Sequence, residues 1–136
     1  MLQGGGHPYR GLLYGMTTRM YGETDVRPIW KLMNDFGIES SEIKGYWLEK
    51  PPVITNHEKI IATAYLKPER ILIAIASWSD KDENVRLDFD WNQFGFKSGR
   101  LFSPEVDKLQ PYEEFNLEGP ITIPQNMGLF LVLEKK

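Results

Sequence analysis

The run Ile60-Ile61-Ala62-Thr63-Ala64-Tyr65-Leu66, the turn Lys67-Pro68-Glu69-Arg70, the run Ile71-Leu72-Ile73-Ala74-Ile75-Ala76-Ser77-Trp78, the loop Ser79 to Asn84 and the run Val85-Arg86-Leu87-Asp88-Phe89-Asp90-Trp91 decide the fold. Two strongly apolar runs on either side of a short proline-containing turn read as a β-hairpin. In the last run Val85, Leu87 and Phe89 point one way and Arg86, Asp88 and Asp90 the other, the alternation of a strand wet on one side. Ile71 to Ala76 is apolar on both faces, which predicts a central strand covered on both sides. Taken in chain order, the three strands read as a β-meander.

Outward from this stretch, one helix stands out. Ile29, Leu32, Met33 and Phe36 fall at i, i+3, i+4 and i+7 and form a single apolar stripe. Thr24 or Asp25 can cap its start, Pro28 is tolerated in the first turn, and Gly37 supplies a left-handed stop. A second short helical turn is predicted from Trp91 to Phe94. The rest reads as strands with turn punctuation: Leu12 to Tyr14, Glu42 to Leu48, Val53 to Thr55 at an edge, Arg100 to Phe102, two stretches within Leu109 to Leu117 broken by Pro111, Ile121 to Ile123 between prolines, and Leu129 to Leu133. The pattern predicts a mainly β protein, an antiparallel β-sandwich of about eight short strands with one short N-terminal helix. A leader, residues 1–24, precedes the sandwich domain, residues 25–136.

Composition narrows the function classes. With 136 residues and 41% hydrophobic content the chain can bury one core without covalent staples. Sixteen Lys and Arg against 19 Asp and Glu leave a formal charge of −3 with no basic block, which speaks against nucleic acid as a partner. The absence of cysteine removes disulfides, thiolate nucleophiles and thiolate metal ligands together. No apolar run approaches the roughly 20 residues of a membrane span, and Met1 to Pro8 lacks the pattern of an export signal, so membrane association is not expected and the compartment is left open.

The polar constellations favour plain readings. Asp88 and Asp90 share a strand face, a spacing that invites a glycosidase carboxylate-pair reading, but catalytic pairs usually come from different strands, so a solvated face beside Arg86 is expected. The loop with Asp80, Asp82, Glu83 and Asn84 invites a calcium reading. Counted from Asp80, however, the sixth position is Val85 and the twelfth Asn92, where an EF-hand needs Gly and a carboxylate. His7 and His57 lack metal-site spacing, Gly4-Gly5-Gly6 lacks the context of a phosphate loop, and Ser77 lacks a nucleophile motif. No catalytic residue, metal or cofactor is expected. Tyr46, Trp47, Trp78 and Trp91 sit at strand ends, where a ring either closes the core or lies exposed to stack on a sugar; core closure is the expectation for the tryptophans.

Several motifs together carry a resemblance. Tyr14-Gly15-Met16-Thr17 with Arg19, Arg27-Pro28-Ile29-Trp30-Lys31-Leu32, Asp35-Phe36-Gly37-Ile38 and Gly45-Tyr46-Trp47 come first. Ala62-Thr63-Ala64-Tyr65, Leu72 to Trp78, Val85-Arg86-Leu87 with Asp90-Trp91, and Gly128 to Glu134 continue them. From about Arg10 onward the chain resembles the C-terminal end of a family of large bacterial glycoside-hydrolase-like proteins, in which a catalytic (β/α)-barrel is followed by a β-sandwich. The resemblance implies that Leu12 to Met16 is the last barrel strand and Ile29 to Phe36 the helix after it. Thr17, Arg19 and Tyr21 would then stand at the barrel mouth, because barrel active sites form at the C-terminal ends of strands. One strand and one helix do not make a barrel. The implied role is a non-catalytic accessory sandwich whose partner is the catalytic barrel of a longer, exported parent. A carbohydrate-binding module that contacts polysaccharide through Tyr46, Trp47, Trp78 and Trp91 is the alternative, and self-association as a homodimer through a leftover apolar face is a third reading.

Overall fold

The computed structural model describes residues 27–37, 41–44, 51–94, 96, 99–106, 110–117, 119–123 and 128–135. They form one helix, α1 (Arg27–Phe36), and ten strands: β1 (Glu42–Lys44), β2 (Val53–Thr55), β3 (Ile60–Leu66), β4 (Arg70–Ser77), β5 (Glu83–Val85), β6 (Leu87–Phe89), β7 (Gly99–Ser103), β8 (Glu113–Phe115), β9 (Ile121–Ile123) and β10 (Gly128–Lys135). A 3₁₀ turn spans Trp91–Gln93. The mainly β architecture with one N-terminal helix is as the pattern predicts. The expected strand Leu12 to Tyr14, the caps Thr24 and Asp25 and the far end of the Glu42 to Leu48 strand lie outside the described residues. Among the described residues no helix is long and apolar enough to cross a membrane.

Six antiparallel strands make the main sheet in the order β1-β3-β4-β10-β7-β8. The β3–β4 hairpin forms as the sequence predicts, with Lys67 N donating to Arg70 O at 2.9 Å across the turn. The third strand of the expected meander does not follow. The second neighbour of β4 is β10, registered from Gly128 opposite Ala76 to Glu134 opposite Arg70. The Val85 to Phe89 run leaves the sheet and divides at Arg86: β5 pairs with β9, and β6 pairs with β2. Asn56 occupies the division, its side-chain oxygen accepting from Arg86 N at 2.9 Å and its own N–H donating to Arg86 O at 3.2 Å. The physical reason for the exchange lies in the sequence. A strand apolar on both faces needs neighbours that are apolar on both faces, which β10 is and the half-charged Val85 to Phe89 run is not.

Strand parity sorts the core into two layers. Ile60, Ala62, Ala64, Ile71, Ile73, Ile75, Leu129, Leu131 and Leu133 meet Val53, Val85, Leu87, Ile121 and Ile123 from the two-stranded pairs, which gives the sandwich. On the opposite face Tyr65, Leu72, Ala74, Ala76, Phe130 and Val132 pack with Leu32, Met33 and Phe36 of α1. The alternation predicted for Val85 to Asp90 holds from Val85 to Asp88, with Val85 and Leu87 buried and Arg86 and Asp88 exposed, and fades at Phe89 and Asp90, which are both half-buried.

α1 ends at Gly37, whose φ of 79° is the left-handed conformation that glycine adopts without steric cost. Its last turn contains no basic residue to meet the negative end of the helix dipole. The hairpin turn supplies the charge instead. Lys67 Nζ and Arg70 Nη2 donate to Phe36 O at 3.1 and 2.8 Å, and both cations lie over the Phe36 ring, at 5.6 and 5.2 Å from its centroid. Helix and sheet are thereby joined by hydrogen bonds, charge and ring contact at one point. At the far side of the sheet β7 approaches β10 so closely that a Cβ on Gly99 would stand 2.5 Å from the Glu134 carbonyl oxygen, so glycine is required there by space.

Candidate functional site

The rings marked out in the sequence separate into two places. Trp78 follows β4, its backbone N–H donating to Lys59 O at 2.8 Å, and it is 38% exposed. Trp91 is half-buried among rings: Phe89 at 5.5 Å between centroids, Phe94 edge-on at 5.6 Å and Phe96 at 6.2 Å. Asp90 holds that turn, its carboxylate accepting from Asn92 N at 3.2 Å and from Gln93 Nε2 at 2.9 Å. Asp90 therefore works as a helix cap. Trp91 closes the rim of the core, as the sequence leads one to expect, whereas Trp78 reaches solvent.

The two tryptophan segments are anchored at different points along β3. Trp78 lies beside Lys59, just before β3 begins, while the Trp91 turn is tied through Gln93 Oε1 to Lys44 Nζ, at 3.3 Å, and Lys44 pairs with Ala64. Five residues along a strand separate those positions by about 16 Å. Tyr46, Trp47, Thr17, Arg19 and Tyr21 lie outside the described residues.

The acidic loop is organised around Glu83. Ser79 Oγ donates to Glu83 Oε2 at 2.7 Å, and His57 Nε2 stands 3.2 Å from the same oxygen. His57 Nδ1 accepts from Lys59 N at 3.1 Å, which leaves the ring proton on Nε2, facing the carboxylate. Ser77 Oγ accepts from Ser79 N at 3.1 Å and Ser79 Oγ from Lys81 N at 3.4 Å, so two serines, one on each side of Trp78, fold the loop back on itself. Thr55 Oγ1 donates to the Ile60 carbonyl and accepts from His57 N at 3.3 Å, which pins the β2–β3 turn that carries the histidine. These polar groups are engaged in holding two loops together. Among the described residues no three His, Asp or Glu side chains gather closely enough to hold a metal ion.

The Ser79 hydroxyl holds the Glu83 carboxyl below its ordinary value of 4.5, opposed by partial burial and assisted by the nearby His57 and Lys81. A carboxylate with a lowered folded value stabilises the fold above the unfolded value and loses that contribution as pH falls through the folded one. Glu83→Gln is therefore expected to lower the urea midpoint at neutral pH, with the gap to the wild-type protein closing below pH 4.5. A gap that stayed constant into acid would show that the carboxylate charge contributes nothing.

Sequence reasoning missed a further ring pair. Phe102 on β7 and Tyr112, just before β8, stand 5.5 Å apart at 34° between planes, and Tyr112 is 51% exposed. The Arg100 guanidinium lies 4.6 Å from the Phe102 centroid and reaches Glu114 at 3.3 Å and Glu134 at 3.5 Å. Arg100 and Phe102 share a face by strand parity, which the sequence does contain; the approach of Tyr112 depends on the pairing of Phe102 with Glu114 across β7 and β8, which it does not.

The chain is a helix-backed antiparallel sandwich whose polar clusters tie loops and caps and whose Trp78 and Tyr112 rings reach solvent. Residues 25–134 match the family model for the C-terminal domain of glycoside hydrolase 123, and the chain belongs to that family. No curated protein and no solved structure matches it.

Proposed function

We propose that this domain is a non-catalytic accessory module that packs on, and stabilises, the catalytic barrel of a glycoside hydrolase. The observation that carries the reading is the fixing of α1. Lys67 and Arg70 bind the C-terminal end of the helix to the β3–β4 turn, and Leu32, Met33 and Phe36 bury its apolar stripe, so whatever precedes Arg27 is joined to the sandwich through a rigid element. In this reading residues 1–24 belong with the barrel, with Thr17, Arg19 and Tyr21 near its mouth, and residues 25–136 form the accessory domain. Family membership supports the parentage. The use of Asp90 as a cap and of Glu83 as a loop tie supports the non-catalytic role.

The purified chain is expected to release no aglycone from a panel of aryl glycosides, and removing residues 25–136 from a parent hydrolase is expected to lower the melting temperature of its barrel. Turnover that follows this chain through successive purification steps, or a barrel whose melting temperature does not respond to the deletion, would refute the reading. A second reading, direct contact with polysaccharide through Tyr46, Trp47, Trp78 and Trp91, is favoured by one observation, the exposure of the Trp78 indole.

A further inference from the structure

His57 is the pivot of a hydrogen-bonded chain that crosses the Trp78 end of the sheet. Its ring is bound on both sides. Nδ1 accepts from Lys59 N at 3.1 Å, and Nε2 faces Glu83 Oε2 at 3.2 Å. The Lys59 carbonyl in turn accepts from Trp78 N at 2.8 Å, so the imidazole is linked through Lys59 to the backbone of the exposed tryptophan. With its side chain 28% exposed, the ring is open to protons from solvent while both nitrogens stay engaged.

The two nitrogens respond oppositely to a second proton. A neutral imidazole has one N–H and one lone pair, and here Lys59 uses the lone pair of Nδ1. A proton arriving from water therefore goes onto Nδ1, where it faces the Lys59 N–H, donor against donor. On the other side the same proton turns the contact with Glu83 into a charge-assisted hydrogen bond. The other charged residues around the pair are Glu58 and Lys59 on the histidine's own turn, Asp80, Lys81 and Asp82 on the loop, and Arg86, which donates its backbone N–H to the Asn56 side chain. These balance in sign, and β2, β3 and β9 add no charge, so the Glu83 carboxylate decides where the imidazolium stays. The bond from Ile60 N to His57 O at 3.1 Å and the bond from Thr55 Oγ1 to Ile60 O do not involve the ring, which confines the opening to Lys59 and what it holds.

We propose that His57 is a pH-operated latch on the Trp78 end of the sandwich: neutral, it ties the Lys59 N–H to the Glu83 carboxylate; protonated, it stays on Glu83 and releases Lys59, loosening the backbone that anchors Trp78. NMR titration of the full chain between about pH 8 and pH 5, the interval in which an imidazole changes charge, tests it. At the alkaline end the ring nitrogens should show the Nε2–H tautomer. On acidification the Lys59 amide should shift with the same midpoint as the His57 ring. Its protection against hydrogen exchange, taken relative to an unstructured peptide, should fall about tenfold, the worth of one hydrogen bond, with a smaller fall at the Trp78 amide and none at Leu131. In His57→Asn the side-chain oxygen can accept from the N–H two residues on and does not titrate, so Lys59 should stay protected at both ends. Glu83→Gln should move the His57 midpoint to lower pH. An Nδ1–H tautomer, a Lys59 amide that stays fixed while the ring titrates, or a pH response at Lys59 that survives in His57→Asn would each overturn the latch. A His57 midpoint unmoved by Glu83→Gln would overturn the part given to that carboxylate. The wild-type titration distinguishes a latch from a static tie without any variant, and its outcome is independent of what the domain packs against.

Discussion

Ile73→Ala is expected to destabilise the domain by about 3 to 4 kcal/mol, within the range for large-to-small changes at fully buried positions. Ile73 is 0% exposed in the middle of β4, with Ala64 opposite it on β3 and Leu131 opposite it on β10. The loss has two parts. Burial of the removed carbons no longer contributes, at about 0.8 kcal/mol per methylene equivalent, and a cavity remains wherever the neighbours fail to close in. Closure is poor at this site because Ala64 has no side chain to swing inward and the strands on both sides are held by the longest ladders of the sheet. Urea or thermal unfolding measures the effect. Ile54→Ala, at a position 48% exposed on β2, is the control and should cost less than about 0.5 kcal/mol. Equal losses at the two sites would mean that β4 is not the centre of the core.

The contrast between those isoleucines was half legible in the sequence. Apolarity on both faces of Ile71 to Ala76 marked β4 as central, and the hairpin with β3, the helix stripe, the Gly37 stop, the turn at Trp91 and the strand between Pro120 and Pro124 followed from local rules. The partner of β4 did not. Periodicity says which face of a strand is buried and nothing about which distant strand will lie beside it, so the run after the acidic loop was the natural neighbour until β10 entered the sheet. The division at Arg86 was hidden for the same reason, since it depends on Asn56 arriving from another turn.

Site residues show the same boundary. The tryptophans were found as rings at strand ends, but whether an indole closes the core or faces water depends on what packs above it. Trp91 has Phe89, Phe94 and Phe96 around it, and Trp78 stands 38% exposed. Tyr112 drew no attention in sequence because Pro111 broke the pattern around it. In the structure that same proline is part of what holds the ring in place, through the bond its carbonyl accepts from Ser103.

Gln110→Leu is expected to cost about 2 to 4 kcal/mol although it exchanges one side chain for another of similar size and greater hydrophobicity, because it strips partners from buried backbone groups. β10 is paired by β7 only from Val132 to Lys135. Ahead of that ladder the Gln110 carboxamide, 7% exposed, meets Phe130 with a donor and an acceptor at once, the exchange a strand residue would make. Leucine fills the space and takes the carboxamide away from the buried Phe130 N–H and C=O, and each lost bond carries a desolvation cost. Two measurements separate this from a simple packing defect. The urea midpoint should fall by the stated amount, and hydrogen exchange at the Phe130 amide should accelerate more than at Leu131 or Leu133. A variant within about 0.5 kcal/mol of wild type would show that water replaces the amide at no cost.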